Sequence, residues 1–290
     1  NLLVKMEQKL QYLELLRMLA YTGLTPFENA MGTLNVITGA GVIEARKQGL
    51  VVPTFDKQKK DTSKYEGAYV GEPVRGFQDY IVSFDANSLY PNVMISLNLS
   101  PETKMGNFEK QSDGTVIVNK VKGGPNVLTR DNLYKGIKEA NLSVSRAQVL
   151  FSQTKKGIFP QIVDGFYNQR VKIIAEMNKL KRKRSRTPKS EKDIIVELDD
   201  KINKLHIKQF TIKIFINTVY GYFGNKHSPM GDPDISRSIT LTGQGVIKQS
   251  NKILTEYIRK KCNLTDEYID KDPPVIYNDT DSVYITIKHL

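Results

Sequence analysis

The sequence predicts an α+β fold, with antiparallel strands and long helices in different stretches of the chain and no repeated βαβ alternation. Three observations carry this expectation. A short apolar strand, "YIVSF", runs into Asp85 and is followed by a helix with proline in its first turn. Residues 161–216 read as a long helical hairpin with a very basic tip. The last segment, "VIYNDTDSVYIT" at 275–286, reads as a strand hairpin that carries two aspartates where a turn needs one.

Taken in order, residues 4–20 place Leu10, Leu13, Leu16 and Met18 or Leu19 at helical spacing, and Thr22-Gly23 supplies the stop, so one packing helix is expected. From 51 to 79, Pro53, "KQKK" and "KYEGAYVGEPVRG" describe an irregular loop or ribbon. "SLYPNVMISLNL" reads as a turn into a short helix, because proline is tolerated in a first helical turn. Residues 105–150 are rich in Gly and Asn, with short β-like runs such as "GTVIVNKV", and no local pattern orders them.

Val163, Phe166, Tyr167, Val171, Ile174, Met177 and Leu180 recur three and four apart, until "KLKRKRSRTPKSEK" interrupts them. Thr187 is the expected cap of a second helix, with Pro188 in its first turn, running through Ile194, Leu198, Ile202 and Leu205 toward 216. A third helix is expected over 238–260, its closing "RKK" suiting a helix C-terminus.

A chain of 290 residues is one large domain or two modest ones, with enough length for a hydrophobic core. No apolar run approaches the roughly 18 residues of a membrane span and no signal-peptide pattern opens the chain, so a soluble, intracellular protein is expected. With Cys262 alone there is no internal disulfide and no cysteine zinc site, while His206, His227 and His289 lack ligand spacing. Any metal would be held by oxygen. The formal charge of +12 favours a polyanion, most simply nucleic acid. The chain begins at Asn1 and ends at Leu290, directly after the alternating Val283, Ile285 and Ile287, as expected of a piece of a longer protein.

Three constellations carry chemistry. Asp85, Asp279 and Asp281 lie at the mouths of predicted strands, and strict alternation would put Asp279 and Asp281 on one face. Such carboxylates suit Mg²⁺, which takes a few acidic oxygens and completes its shell with water and substrate phosphate. Each acid alone is better explained as a turn or loop entry, an explanation that weakens for the acids taken together, and "DTDS" lacks the glycine and the further ligand of an EF-hand loop. On a helix, Lys213, Asn217 and Tyr220 or Gly221 share a face, offering a cation and an amide to phosphate and a flat edge to a base pair; a snorkelling lysine on an amphipathic helix is the plainer reading. Arg170, with Lys172 two residues on, can grip phosphate through two parallel hydrogen bonds or simply be solvated, and the same holds for the basic tip.

In order, "DANSLYPN" from Asp85, "KIFINTVYG" from Lys213 and "YNDTDS" from Tyr277 resemble the three polymerase motifs of family B DNA polymerases. The stretches "TGLTPF", "YEGAYVGEPV", "NLSPET", "FYNQR" and "TGQ" are similar, more narrowly, to the replicative enzymes of T-even-type tailed bacteriophages. The resemblance covers nearly the whole chain and is weakest over 105–150 and the basic tip.

The resemblance implies a palm with an antiparallel sheet and flanking helices, plus helical-hairpin fingers. Residues 1–160 would be the first part of the palm with its preceding helix and template-side loop, 161–216 the fingers, and 217–290 the rest of the palm, without the upstream exonuclease or the downstream thumb. It implies nucleotidyl transfer from deoxynucleoside triphosphates to a primer 3′-hydroxyl, with two Mg²⁺ roughly 3.5–4 Å apart, or Mn²⁺ in their place. Asp85 and Asp281 would bridge the metals with the carbonyl of Ala86, and Asp279 would support them. Amides of Ser88 and Leu89 would hold the triphosphate tail, and Tyr90 would lie under the sugar and exclude a 2′-hydroxyl. Arg170, Lys213 and Asn217 would bind the β and γ phosphates as the basic hairpin closes; Tyr220 and Gly221 would line the nascent base pair; Tyr65, Gly67 and Ala68 would touch the template.

Implied partners are primer-template DNA, deoxynucleotides and a sliding clamp reached through a missing C-terminal region, in the cytoplasm of an infected bacterial host, with no membrane. Three departures stand out: Asn278 for the usual glycine, Ala86 at a variable position, and Ile174 where a second phosphate-binding lysine is common. Lys172 is the candidate substitute, although it faces another direction on the helix. Two other function classes compete. A metal-dependent glycosyltransferase would use Asp279-Thr280-Asp281 but leaves Asp85 and Lys213 unexplained; a non-catalytic nucleic-acid-binding module would use only the basic hairpin.

Overall fold

The computed structural model describes residues 2–53, 66–120 and 123–290. Among the described residues the helices are α1 (Leu2–Leu10), α2 (Tyr12–Gly23), α3 (Thr33–Lys47), α4 (Leu89–Leu97), α5 (Arg130–Glu139), α6 (Ile158–Arg186), α7 (Lys192–Gly224), α8 (Pro233–Cys262) and α9 (Asp266–Lys271). The strands are β1 (Ile81–Asp85), β2 (Lys104–Lys110), β3 (Thr115–Lys120), β4 (Asn126–Thr129), β5 (Leu142–Val144), β6 (Val149–Ser152), β7 (Val275–Asp279) and β8 (Ser282–Thr286). This is the mixed architecture the sequence predicts, with every described strand pairing antiparallel.

Packing divides the chain into two units, one of residues 1–61, 100–102 and 156–232, the other of 62–99, 103–155 and 233–290. This cut differs from a division at 160 and 216, because α1 to α3 and residues 217–232 go with the helical hairpin.

In the first unit α6 and α7 form the expected hairpin, and α2 and α3 pack against it. Its base is aromatic: Phe159 meets Phe223 edge-on with ring centroids 4.7 Å apart, and Tyr222, fully buried, accepts hydrogen bonds at its hydroxyl from Thr38 and the Met230 amide, both at 3.3 Å. Burial stops at Met177 and Leu198, so the tip is two solvated helices bridged by Arg184, which donates to both carboxylate oxygens of Asp199 at 3.0 and 3.1 Å. Thr187 does not cap α7. Its hydroxyl donates to the Lys183 carbonyl at 3.0 Å, satisfying the end of α6, and α7 starts after Glu191. The single helix expected over 4–20 is likewise two: Gln11 sits at φ 50°, and the Leu13 amide beyond this break donates to the Glu7 carboxylate at 3.1 Å.

The second unit holds two sheets, ordered β1-β8-β7 and β4-β3-β2-β6-β5. The larger one organises the stretch 105–150, and with α5 it closes a small core of Phe108, Val116, Val118, Leu133 and Leu150. The smaller one joins the strand that ends on Asp85 to the closing hairpin and lies against α8. Alternation in β7 and β8 buries Ile276, Asn278, Val283 and Ile285 while Tyr277 and Tyr284 take the other face. Helix α8 begins at Pro233, earlier than its pattern suggested, with proline at the first helical position where its missing N–H costs nothing.

Candidate functional site

The backbone positions of the three acids lie on the small sheet and its turn. In β1 against β8, Asp85 stands opposite Ser282, and the next step of the ladder is the Ala86 amide donating to the Asp281 carbonyl at 2.8 Å. Asp85 and Asp281, far apart in sequence, are therefore brought to adjacent strands of one ladder, one residue out of register with each other. Asp279 closes β7 opposite Ser282 on the other side, leaving Thr280-Asp281 as a two-residue loop. This corrects the expected alternation: Asp281 is in the turn, so Asp279 and Asp281 are not successive residues of one strand face. The loop is tight. Asp281 N–H donates to the Asp279 carbonyl at 2.6 Å across Thr280, which sits at φ 55°, and Thr280 N–H donates to the Tyr69 carbonyl at 3.0 Å. Asp85 and Asp279 are exposed and Asp281 is half-buried.

Among the described residues no group of three or more His, Cys, Asp or Glu side chains is placed to hold a metal ion. The protein's share of a cation's shell would be a pair of carboxylates at an open edge. That donor set fits a hard divalent ion that draws its other ligands from water and phosphate.

The turn after β1 places the next group. Ser88 adopts a left-handed conformation at φ 53°, and its side chain makes no capping hydrogen bond to α4, whose first residue is Leu89. Leu89 is buried. Tyr90 is half-buried, and its phenol is pushed above the ordinary tyrosine range by burial and then by the negative charge of Asp281. It stays neutral, beside the acid turn. The ring lies on Gly243 of α8, where a Cβ would come within 2.8 Å of Tyr90 Cε1. Thr242 accepts the Arg146 amide at 3.2 Å, and Gln244 Nε2 donates to the Gly67 carbonyl at 2.8 Å. Thus "TGQ", for which residue patterns offered no role, supports Tyr90 and the segment at Gly67 and Ala68, both of which are exposed. Tyr65 lies outside the described residues.

The remaining predicted residues belong to the first unit. Arg170 on α6 is half-buried, and its Nε donates to Gln209 Oε1 of α7 at 3.3 Å, orienting the guanidinium. Gln209 was missed by sequence reasoning; its only signal is that it precedes Lys213 by one helical turn. Lys213, Asn217 and Gly221 are exposed and Tyr220 half-buried on α7, so they form the single face the spacing predicts. Ile174 is half-buried and Lys172 exposed.

Residues 37–290 match DNA polymerase family B. The chain is 30% identical over 240 residues to the DNA polymerase delta catalytic subunit of Candida albicans, covering 82% of this chain and 19% of that protein. It is 26% identical over 301 residues to the DNA-directed DNA polymerase of Enterobacteria phage T4, covering 95% of this chain and 32% of that protein. The family B DNA polymerase of the hyperthermophilic archaeon Pyrobaculum calidifontis shares the fold, with a TM-score of 0.57 at 21% identity over 98% of this chain and 30% of that one. The chain thus spans between about a fifth and a third of each relative's length. Phage enzymes are not set apart from eukaryotic and archaeal ones in these likenesses, so the narrower resemblance to T-even-type phages is not distinguished. With most of its length matched to the family, and with the acids of two of its motifs adjacent on one small sheet, this chain belongs to DNA polymerase family B.

Proposed function

We propose that the chain is the polymerase core of a DNA-directed DNA polymerase, with the small sheet, α4 and α8 as the palm and the α6–α7 hairpin as the fingers. The observation that carries this reading is the register that brings Asp85 beside Asp281, anchored by the Ala86 amide on the Asp281 carbonyl. A glycosyltransferase built on Asp279 and Asp281 gives Asp85 no task.

In this reading Asp85 and Asp281, with the Ala86 carbonyl, hold divalent cations, Mg²⁺ in the cell and Mn²⁺ as a substitute, and Asp279 supports the turn. Bound there, such ions lower the pKa of a primer 3′-hydroxyl and neutralise the leaving pyrophosphate. The chain's own residues do the rest. Amides at Ser88 and Leu89 and the side chains of Arg170, Lys213 and Asn217 orient the triphosphate. Tyr90, neutral and backed by Gly243, fills the space a ribose 2′-hydroxyl would need. Tyr220 and Gly221 line the nascent pair, and Gly67 and Ala68 touch the template. The 3′-oxygen forms a bond to the α-phosphorus as the α–β bridging bond breaks, and the hydroxyl proton passes to solvent. The setting we propose, phage DNA replication in a bacterial cytoplasm, rests on the phage-like stretches such as "TGLTPF" and "FYNQR".

Primer extension with Mg²⁺ and deoxynucleotides tests the acids. Asp85→Ala and Asp281→Ala, each shown folded by circular dichroism, should lose more than the about 10- to 100-fold that removal of an outer-shell partner costs. Extension by both at the unaltered rate would overturn the assignment.

A further inference from the structure

Asn278 immediately precedes the acid turn. It is 3% exposed, and a buried amide is tolerated only when its donors and acceptor are matched. Asn251 of α8 matches them. Asn278 Nδ2 donates to Asn251 Oδ1 at 3.0 Å, and Asn251 Nδ2 donates back to Asn278 Oδ1 at 2.7 Å. Asn278 Nδ2 also reaches the Ser282 carbonyl at 3.4 Å, and the Asn278 carbonyl accepts the Gly71 amide at 3.0 Å. A Cβ on Gly71 would stand 3.3 Å from Asn278 Oδ1, so the neighbouring segment leaves room for this side chain.

The turn that follows is held from within and by its neighbours. Two-residue hairpin loops favour glycine or asparagine where φ is positive, yet Thr280 holds φ 55°. Inside the turn Thr280 Oγ1 donates to Asp279 Oδ1 and Ser282 Oγ to the Asp279 carbonyl, both at 3.0 Å; from outside, Tyr69 accepts the Thr280 amide and the amide pair holds Asn278, two residues before it. We propose that Asn278 and Asn251 are positioning residues: their reciprocal amide pair clamps β7 to α8 and sets where the Asp281 carboxylate stands relative to Asp85. This rests on the reading that those two acids hold divalent cations.

The test uses Mn²⁺ titration followed by electron paramagnetic resonance, with deoxynucleotide present, on the full chain. Asn251→Ala should raise the Mn²⁺ concentration at half-occupancy by about tenfold, the lower end of what loss of an outer-shell partner costs. Asn278→Gly, which leaves no buried amide unmatched at 278, should do the same. The double substitution should equal either single change, because both remove one pair. In primer extension kcat should fall while the deoxynucleotide KM stays within about twofold, as for an interaction felt at the reacting centre. If the variants melt at lower temperature but keep the parent Mn²⁺ half-occupancy, the pair is structural only and the proposal fails. Asp85→Asn and Asp281→Asn serve as controls. Mn²⁺ binding that survives both would refute the reading of the acids themselves, an outcome separate from any result with the amides.

Discussion

Tyr90 shows how one side chain depends on an absence elsewhere. Its ring edge rests where Gly243 has no Cβ, so Gly243→Ala would place a carbon 2.8 Å from Cε1 and push the ring from its place. Overpacking of this kind costs about 1–3 kcal/mol of stability. If Tyr90 is the sugar gate, Tyr90→Ala should relax discrimination against ribonucleotides, and Gly243→Ala should relax it in the same direction. Competitive incorporation of deoxynucleotides and ribonucleotides reads this, and unchanged discrimination in Tyr90→Ala would remove Tyr90 from the role. Tyr90 itself was legible from its motif. Gly243 was visible only as part of a short stretch, because nothing local to 242–244 says which ring lies on it.

The α6–α7 hairpin divides its labour along its length. At the base, Phe159, Phe215, Tyr222 and Phe223 are buried, and this packing holds the last turns of α7 rigid. The opposite face of those same turns is left to solvent and carries Lys213, Asn217 and Gly221. A rigid helix presenting polar groups is a better scaffold for phosphate than a loop, since the face loses little freedom on binding. Lys213→Ala should therefore lower kcat/KM for deoxynucleotides by about 10-fold or more, the range of a charged hydrogen bond. Because Lys213 is exposed, its removal should shift folding stability by no more than about 0.5 kcal/mol. Steady-state extension and thermal melting check the two halves, and an unaltered kcat/KM would leave Lys213 as a solvated surface lysine.

For the molecule as a whole, the formal charge of +12 is concentrated in part at the hairpin tip. There Arg184 is engaged with Asp199, and Asp200 and Glu197 pair with Lys204 and Lys201 along α7. Such exposed pairs contribute at most about 1 kcal/mol each to stability. Lys181, Arg182, Lys183 and Arg186 form no such pair among the described residues, so the tip projects net positive charge. Replacing these four with glutamine should weaken binding to primer-template DNA and lower the slope of log affinity against log salt by about 0.9 for each phosphate that is no longer neutralised. A salt titration of DNA affinity measures this, and an unchanged slope would make the tip solvated surface. None of the described helices is long and apolar enough to cross a membrane.

What could be read from the residues alone is what is local. Asp85 after its strand, Lys213 and Asn217 one helical turn apart, and the acids of the closing hairpin are all set by spacing along a short stretch. The long helices follow from the same periodicity, though their ends do not: the Thr187 hydroxyl bonds the last turn of α6, and α7 starts only after Glu191. Beyond the closing hairpin, whose strands pair as its sequence predicts, strand partners were not legible. The stretch 105–150 became a five-stranded sheet because β2 pairs with β6 as well as with β3, a choice fixed by residues about forty positions apart. The same holds for Asn278, whose partner Asn251 lies on another element, and for the register that sets Asp85 beside Asp281. Side-chain spacing encodes which face of an element is apolar; which elements then share that buried surface, and at what register, is settled only when distant segments pack and every buried polar group must find its partner.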